Sequence, residues 1–285
     1  MFAILSYSTS QNLGDEVQSI SAFNLLQKYG ISRVENMDRD THILSACPIN
    51  LIMNGWFDGN YSKWPPPLGV HPLFISFHIN EQPKTIDYLA IEQYKKEFTS
   101  LADPKYLEYY NKFLPIRCRD NHTVRLLKEI GVNAEFSGCL TMTLKSDYQG
   151  ERYGIYIVDV EPESFNDIPS DIRDKATYIT HVYTGPNRII ESNSLLETYK
   201  RAKLVITSRL HCALPCVAFD TPVIFMFKNW KNDCRFDGLI DFLPTCGKDS
   251  INWYSHKNKD KTAFNQLAKN MENIVKEWIN VNKSN

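Results

Sequence analysis

The chain has 285 residues, 43% of them apolar and 23% charged, with a formal net charge of −1. That length exceeds what one hydrophobic core usually serves, so two units are expected. Interspersed, balanced charge excludes the basic face of a nucleic-acid binder, and ordinary composition excludes a disordered or low-complexity chain. No stretch approaches the ~18 apolar residues of a membrane-spanning helix, since the longest candidate, 213–227, is broken by Pro215, Asp220 and Pro222.

Seven cysteines stand at 47, 118, 139, 212, 216, 234 and 246, without paired C-x-x-C spacing. They read as reduced, mostly buried thiols of a cytoplasmic protein. Cys212 and Cys216 fall one helical turn apart, but no His or Cys stands at zinc-site spacing from them, so they are assigned to the core and no metal is expected.

In chain order, residues 2–7 form an apolar run with no basic segment before it, and read as a buried first strand rather than a signal peptide. A polar loop over 8–14 leads into a helix opened by Asp15 and Glu16, with Val17, Ile20, Phe23 and Leu26 at helical spacing and Gly30 as its stop. Further strands are predicted at 51–53, 73–77, 116–118 and 134–136, with helices at 85–99 and 123–130. Residues 54–70, with Trp56, Trp64 and three consecutive prolines, read as a long surface loop. A polar link at 145–150 precedes a second α/β pattern: strands at 153–160, 177–182, 204–207 and 222–227, helices at 195–202 and 211–219, and a final helix over 262–281. The predicted division is 1–147 and 148–285, two Rossmann-like units facing a cleft, with the last helix packing back across both.

In such sheets ligands bind beyond the carboxyl ends of strands, where loops enter helices. Two loops meet that description. Thr207-Ser208-Arg209-Leu210-His211 brings two hydroxyls, a cation and a proton carrier to one helix start. The helix end favours anions, arginine grips carboxylate or phosphate with a planar fork, and histidine titrates near neutrality. Asn12-Leu13-Gly14-Asp15-Glu16 follows the first strand, where Gly14 permits close approach and Asp15 serves as a helix-start acid or a base. Neither G-x-G-x-x-G nor a Walker A motif is present. Arg119 follows a third strand with Asp120 placed to cap the next helix. Of the other histidines, His78 and His181 lie near strand ends and are positioned to approach a cleft. His42, His71, His122 and His256 lie in polar or loop contexts.

Together Asn12-Leu13-Gly14-Asp15-Glu16, Cys118-Arg119-Asp120-x-x-Thr123 and Ser208-Arg209-Leu210-His211 resemble the polysaccharide pyruvyl transferase family, as do the flanking 136–141, 199–207 and 218–224. The resemblance implies a paired-Rossmann fold similar to the GT-B glycosyltransferases. It also implies transfer of the pyruvyl unit of phosphoenolpyruvate onto two hydroxyls of a sugar, giving a cyclic ketal and phosphate. By that resemblance Arg209 binds the donor's carboxylate or phosphate and His211 gives or takes a proton; the chemistry of the transfer makes His211 the first choice of acid and Asp15 a candidate base on the facing loop. Asn12, Gly14, Arg119, Ser208 and Thr207 bind substrate. Phosphoenolpyruvate is then a substrate, and neither a cofactor nor a metal is needed. The partners implied are phosphoenolpyruvate and a saccharide acceptor; a lipid-linked acceptor and peripheral membrane association stay open, as does the oligomeric state. Trp56 and Trp64 are read as a sugar platform or as partial burial. A glycosyltransferase using a nucleotide-sugar is the alternative, with Glu191 or Glu197 as the ribose-binding acid, and a non-catalytic binding relative is a third reading.

Overall fold

The computed structural model describes residues 1–39, 48–57, 64–80, 100–228, 233–244, 253 and 260–283. The first half runs β1 (Phe2–Ser6), α1 (Leu13–Lys28), β2 (Val34–Asp38), β3 (Ile49–Phe57), β4 (Val70–Ile79), α2 (Leu107–Tyr110), β5 (Ile116–Cys118), α3 (Asn121–Glu129) and β6 (Ala134–Phe136). After a 3-10 turn at Leu140–Thr143 come β7 (Tyr153–Val158), α4 (Pro162–Phe165), α5 (Ser170–Arg173), β8 (Ala176–Ile179) and α6 (Arg188–Arg201). The chain continues with β9 (Ala202–Thr207), α7 (Leu210–Ala218), β10 (Val223–Phe225) and α8 (Thr262–Lys283). The helix predicted over 85–99 and the cysteines at 47 and 246 lie outside the described residues.

The strands form two sheets, one of six in the order β2-β1-β3-β4-β5-β6 and one of four in the order β10-β9-β7-β8. Every strand pairing is parallel. Covering helices bury both faces of such sheets, which is why β1 reads as an unbroken apolar run. In each sheet the second strand lies on one side of the first and the third on the other. The order therefore reverses between β1 and β3 and again between β7 and β9, and crevices open at such reversals.

α1 is buried along most of its length, with Val17, Ile20 and Leu25 meeting Leu196 and Tyr199 of α6, Leu210 and Leu214 of α7, and Met271 and Val275 of α8 in one continuous cluster. A helix apolar on several sides belongs inside a protein, and here α1 lies between the two sheets' helices. α8 buries Phe264, Ala268, Met271, Val275 and Ile279 at helical spacing, so the chain's last helix returns to α1. Glu272 ties it down through Lys28 (2.6 Å) and Lys145 (2.9 Å).

Three local expectations are corrected. β2 falls on Val34–Asp38, which shows no apolar run because it is an edge strand with only Met37 fully buried. The strand predicted at 177–182 stops at Ile179, because the chain turns there and Val182 bridges back to Asn12. The expected loop over 54–70 begins as strand, since β3 runs on to Phe57 through a bulge at Gly55 (φ +109°). A Cβ there would run into the Tyr7 hydroxyl, and the positive φ suits glycine as well. Trp64 is buried, stacked on Phe77 at 5.8 Å and packed around Phe74 and Tyr110, which removes it from any sugar platform. The described cysteines, Cys118, Cys139, Cys212, Cys216 and Cys234, are free thiols, and all but Cys234 are buried.

Candidate active site

The start of α1 is built by its own loop and held by the other half of the chain. Asn12 caps the helix, its Oδ1 accepting the Gly14 N–H at 3.0 Å. The Ser10 hydroxyl donates to Asp15 Oδ2 at 2.5 Å. The Leu13 N–H reaches the carbonyl of His181 at 2.8 Å, and the Tyr183 N–H that of Gln11 at 2.8 Å. Arg188, at the start of α6, donates to the carbonyls of Ser10 and Asn12 and, at 2.9 Å, to Glu16 Oε1. Gly14 lies against the other half: a Cβ there would stand 3.1 Å from His211 Cβ and from Asn12 Oδ1, and 3.3 Å from His181 Nδ1.

β5 delivers Arg119, only 1% exposed, into the same space. Its Nε and Nη2 make no hydrogen bond among the described residues, and Asp120 Oδ2 lies 3.6 Å from Nε, an ion pair beyond hydrogen-bond length. Asp120 caps α3 as its position suggests, accepting the Thr123 N–H at 2.9 Å, and its Oδ2 meets His78 Nδ1 at 2.5 Å. Burial and the nearby Arg119 push His78 down to about 4, so its imidazole is neutral and its Nδ1–H donates to Asp120. Burial opposes the Asp120 charge, but His78, Arg119 and the Thr123 N–H together hold the carboxyl below the usual range. Arg119 therefore rests on a fixed carboxylate while two of its donor nitrogens stay available.

The 207–211 segment divides into supports and presented groups. Thr207 is fully buried; its hydroxyl donates to the carbonyl of Val158 (2.8 Å) and accepts the Arg209 N–H (2.9 Å). The Ser208 hydroxyl donates to the carbonyl of Met226 and accepts the Glu161 N–H at 3.0 Å. Arg209 occupies the cap position of α7, with Nε 3.0 Å from Asp159 Oδ2 and its side chain 36% exposed. His211 lies in the first turn of α7, buried, with Nε2 lacking a hydrogen-bond partner among the described residues. Burial, then the charge of Arg119, hold it well below the ordinary imidazole range, with Arg235 adding to the effect. Asp15 moves the other way: burial raises its carboxyl despite Ser10, Arg39, Arg188 and Arg119.

These groups surround one cavity of about 430 Å³. Of the residues singled out in the sequence, Asn12, Asp15, Arg119, Ser208, Arg209 and His211 line it, while Gly14 and Thr207 are absent from its lining. His181, flagged only as near a strand end, also lines it, as do Trp56, Asn80, Asp233, Arg235 and Phe236. Arg235 is gripped by Asp233 through two nitrogens, with Nε 2.9 Å and 3.0 Å from the carboxylate oxygens. Trp56, read from the sequence as part of a sugar platform or as partly buried, comes from the end of β3, and Asn80, which carried no signal, follows β4. Neither Glu191 nor Glu197 lines the cavity, and Glu197 pairs with Lys200 at 2.7 Å and Arg201 at 3.5 Å.

Three arginines and two aspartates share the lining with two histidines. A parallel α/β protein with such a cavity beyond the carboxyl ends of both sheets' strands is built to hold a small anion and move protons. The chain belongs to the polysaccharide pyruvyl transferase family, whose model matches residues 12–227. Membership makes it a pyruvyltransferase acting on polysaccharide. Among solved structures it is similar to a functionally uncharacterised protein of Klebsiella pneumoniae subsp. pneumoniae NTUH-K2044, at 18% identity, over 86% of this chain and 92% of that one, with a TM-score of 0.48. No curated protein matches the chain. Among the described residues no helix is long and apolar enough to cross a membrane, and no three His, Cys, Asp or Glu side chains cluster as metal ligands would.

Proposed function

We propose that the protein moves the pyruvyl unit of phosphoenolpyruvate onto two hydroxyls of one sugar of a polysaccharide or its precursor, closing a cyclic ketal and releasing phosphate. The observation that carries this reading is Arg119, a buried guanidinium whose Nε and Nη2 make no hydrogen bond among the described residues, in one cavity with Arg209, Arg235 and His211. A donor with a carboxylate and a phosphate flanking its reacting carbon calls for fixed positive charge on two sides. Arg119 supplies it from β5, and Arg209 from the start of α7.

Protonation of the donor's methylene carbon places positive character on C2, which a sugar hydroxyl attacks. His211 is the acid for that step. Its imidazole is neutral when the neighbouring arginines are uncompensated, and the donor's negative charge offsets them, so binding raises its proton affinity. Asp15 takes the proton of the attacking hydroxyl, its basicity enhanced by burial. Solvent then re-equilibrates the proton between Asp15 and His211. Asn12 and the start of α1 orient the substrate, with Gly14 allowing α1 to lie against His211. Ser208 and Thr207 act through their hydrogen bonds, holding the turn that presents Arg209. The two parallel sheets with one cavity at their strand ends are read as the paired-Rossmann arrangement similar to GT-B enzymes, divided near 147/148. The site of action is the cytoplasm.

Calorimetry tests the donor directly. Phosphoenolpyruvate is expected to bind the intact chain, and Arg119→Met to weaken that binding by about 10- to 100-fold, the effect of losing a charged hydrogen-bond pair. Binding of a nucleotide-sugar in its place would overturn the reading.

A further inference from the structure

Ketal formation deprotonates two hydroxyls, and the scheme above uses Asp15 for only the first. A base on another wall of the cavity would take the proton of the second hydroxyl without waiting for Asp15 to be reset. His181 fits that position from a loop that the family-like motifs do not include. It lines the cavity, is 1% exposed, and its Nδ1 makes no hydrogen bond among the described residues. A buried ring nitrogen without a partner is costly unless function uses it.

The rest of the residue is fixed in place. Its N–H donates to Asp159 Oδ2 at 2.8 Å, and its carbonyl accepts the Leu13 N–H at 2.8 Å. Nε2 lies 2.7 Å from the Tyr199 hydroxyl, whose ring stacks on the imidazole at 6.2 Å between centroids. Burial keeps Tyr199 a phenol, whose oxygen is able to accept from Nε2–H. That assignment leaves the lone pair on Nδ1. Gly14 faces this atom without a side chain: a Cβ there would begin 3.3 Å from it. His211 flanks the same glycine, so the two imidazoles approach one space from α7 and from the loop after β8.

We propose that His181 is the base for the second acceptor hydroxyl, with Nδ1 taking its proton and Tyr199 fixing the tautomer through Nε2–H. The assignment rests on the pyruvyl-transfer reading. After the first hydroxyl has added, the C2–O bond to phosphate breaks and its electron pair leaves with the phosphate. The second hydroxyl oxygen bonds to C2 and its proton passes to Nδ1. The imidazolium then gives that proton to the departing phosphate, so His181 ends as it began. Tyr199 is a positioning residue.

The test compares acceptor-dependent phosphate release by the intact chain, His181→Gln and His181→Ala. Both variants are expected to lose 100-fold or more in kcat, the usual worth of a proton-transfer group, with KM for phosphoenolpyruvate changed less than about 3-fold, a split that general-base loss predicts. Added imidazole is expected to restore His181→Ala by at least about tenfold, a rescue that a merely structural role does not give. Variants that keep kcat, or a loss that imidazole leaves unmoved while KM rises, would overturn the assignment. Long-range nitrogen–proton NMR of the intact chain needs no variant to fold. It is expected to show His181 Nδ1 unprotonated in the neutral ring, and the opposite tautomer would contradict the role. Turnover by the intact chain with unaffected variants sinks only this proposal, whereas no turnover with any acceptor sinks the pyruvyl-transfer reading beneath it.

Discussion

Gly14 sits where two helix starts and a histidine loop converge, and its missing side chain sets how near they come. An added Cβ would press within 3.1 Å of His211 Cβ and of the Asn12 cap. Gly14→Ala is expected to cost about 1–3 kcal/mol of stability, the usual penalty of overpacking, and to lower turnover by displacing His211. Urea titration and phosphate release read the two effects separately; an unchanged midpoint with full activity would show that the contact yields. At this scale the sequence was informative about chemistry and less so about geometry. Arg209 and His211 were legible because residue type, strand end and helix start coincide within five positions. Thr207 and Ser208 were read as substrate-binding; both hydroxyls donate to backbone carbonyls, and of the two only Ser208 lines the cavity, since local pattern does not say which way a hydroxyl turns. Asp233 and Arg235 gave no signal because they reach the cavity from a turn far along the chain.

The loop between β1 and α1 depends on another element for its shape. Arg188 of α6 binds two of its carbonyls and pairs with Glu16, both side chains being largely buried. Removing one partner of such a pair leaves an uncompensated charge, so Arg188→Met is expected to destabilise by about 3–5 kcal/mol. Combining it with Glu16→Gln should recover part of that loss while the loop contacts stay broken, and turnover should remain low in both. A double-mutant cycle in denaturant checks the coupling, and additive effects would contradict it. Element patterns explain what was readable here. β1 was an unbroken apolar run and α1 carried many apolar residues after a polar loop, whereas β2 is a short polar edge and β8 ends where tertiary pairing with Asn12 takes over. Trp64 misled because prolines on its carboxyl side suggested a surface loop, while its indole completes an aromatic cluster under the first sheet.

For the molecule as a whole, the site is tied to a buried charge network, and stability should register its protonation. His78 is held down to about 4 in the folded chain and lies near 6.5 when unfolded. The unfolded state therefore binds more protons between those values, so stability falls as pH drops from about 6.5 to about 4. The lowered His211 works in the same direction, while Asp15 and Glu16, raised by burial, oppose it. Comparing the intact chain with His78→Gln isolates the first contribution: the variant should show a shallower loss across that range, and an identical slope would remove His78 from the account. The alternation of strand and helix made a two-sheet parallel protein legible at this scale. The continuous cluster through α1, α7 and α8, which joins the two halves of the chain, was not, because packing between distant segments leaves no local trace.

The most direct measurement is phosphate release from phosphoenolpyruvate across a panel of hexoside acceptors, for the intact chain, Arg209→Ala and His211→Ala. Acceptor-dependent release by the intact chain, lost in both folded variants by 100-fold or more, is the predicted result. Release by the intact chain that survives in His211→Ala would move the acid elsewhere. The absence of release with every acceptor, together with binding of a nucleotide-sugar, would contradict pyruvyl transfer itself.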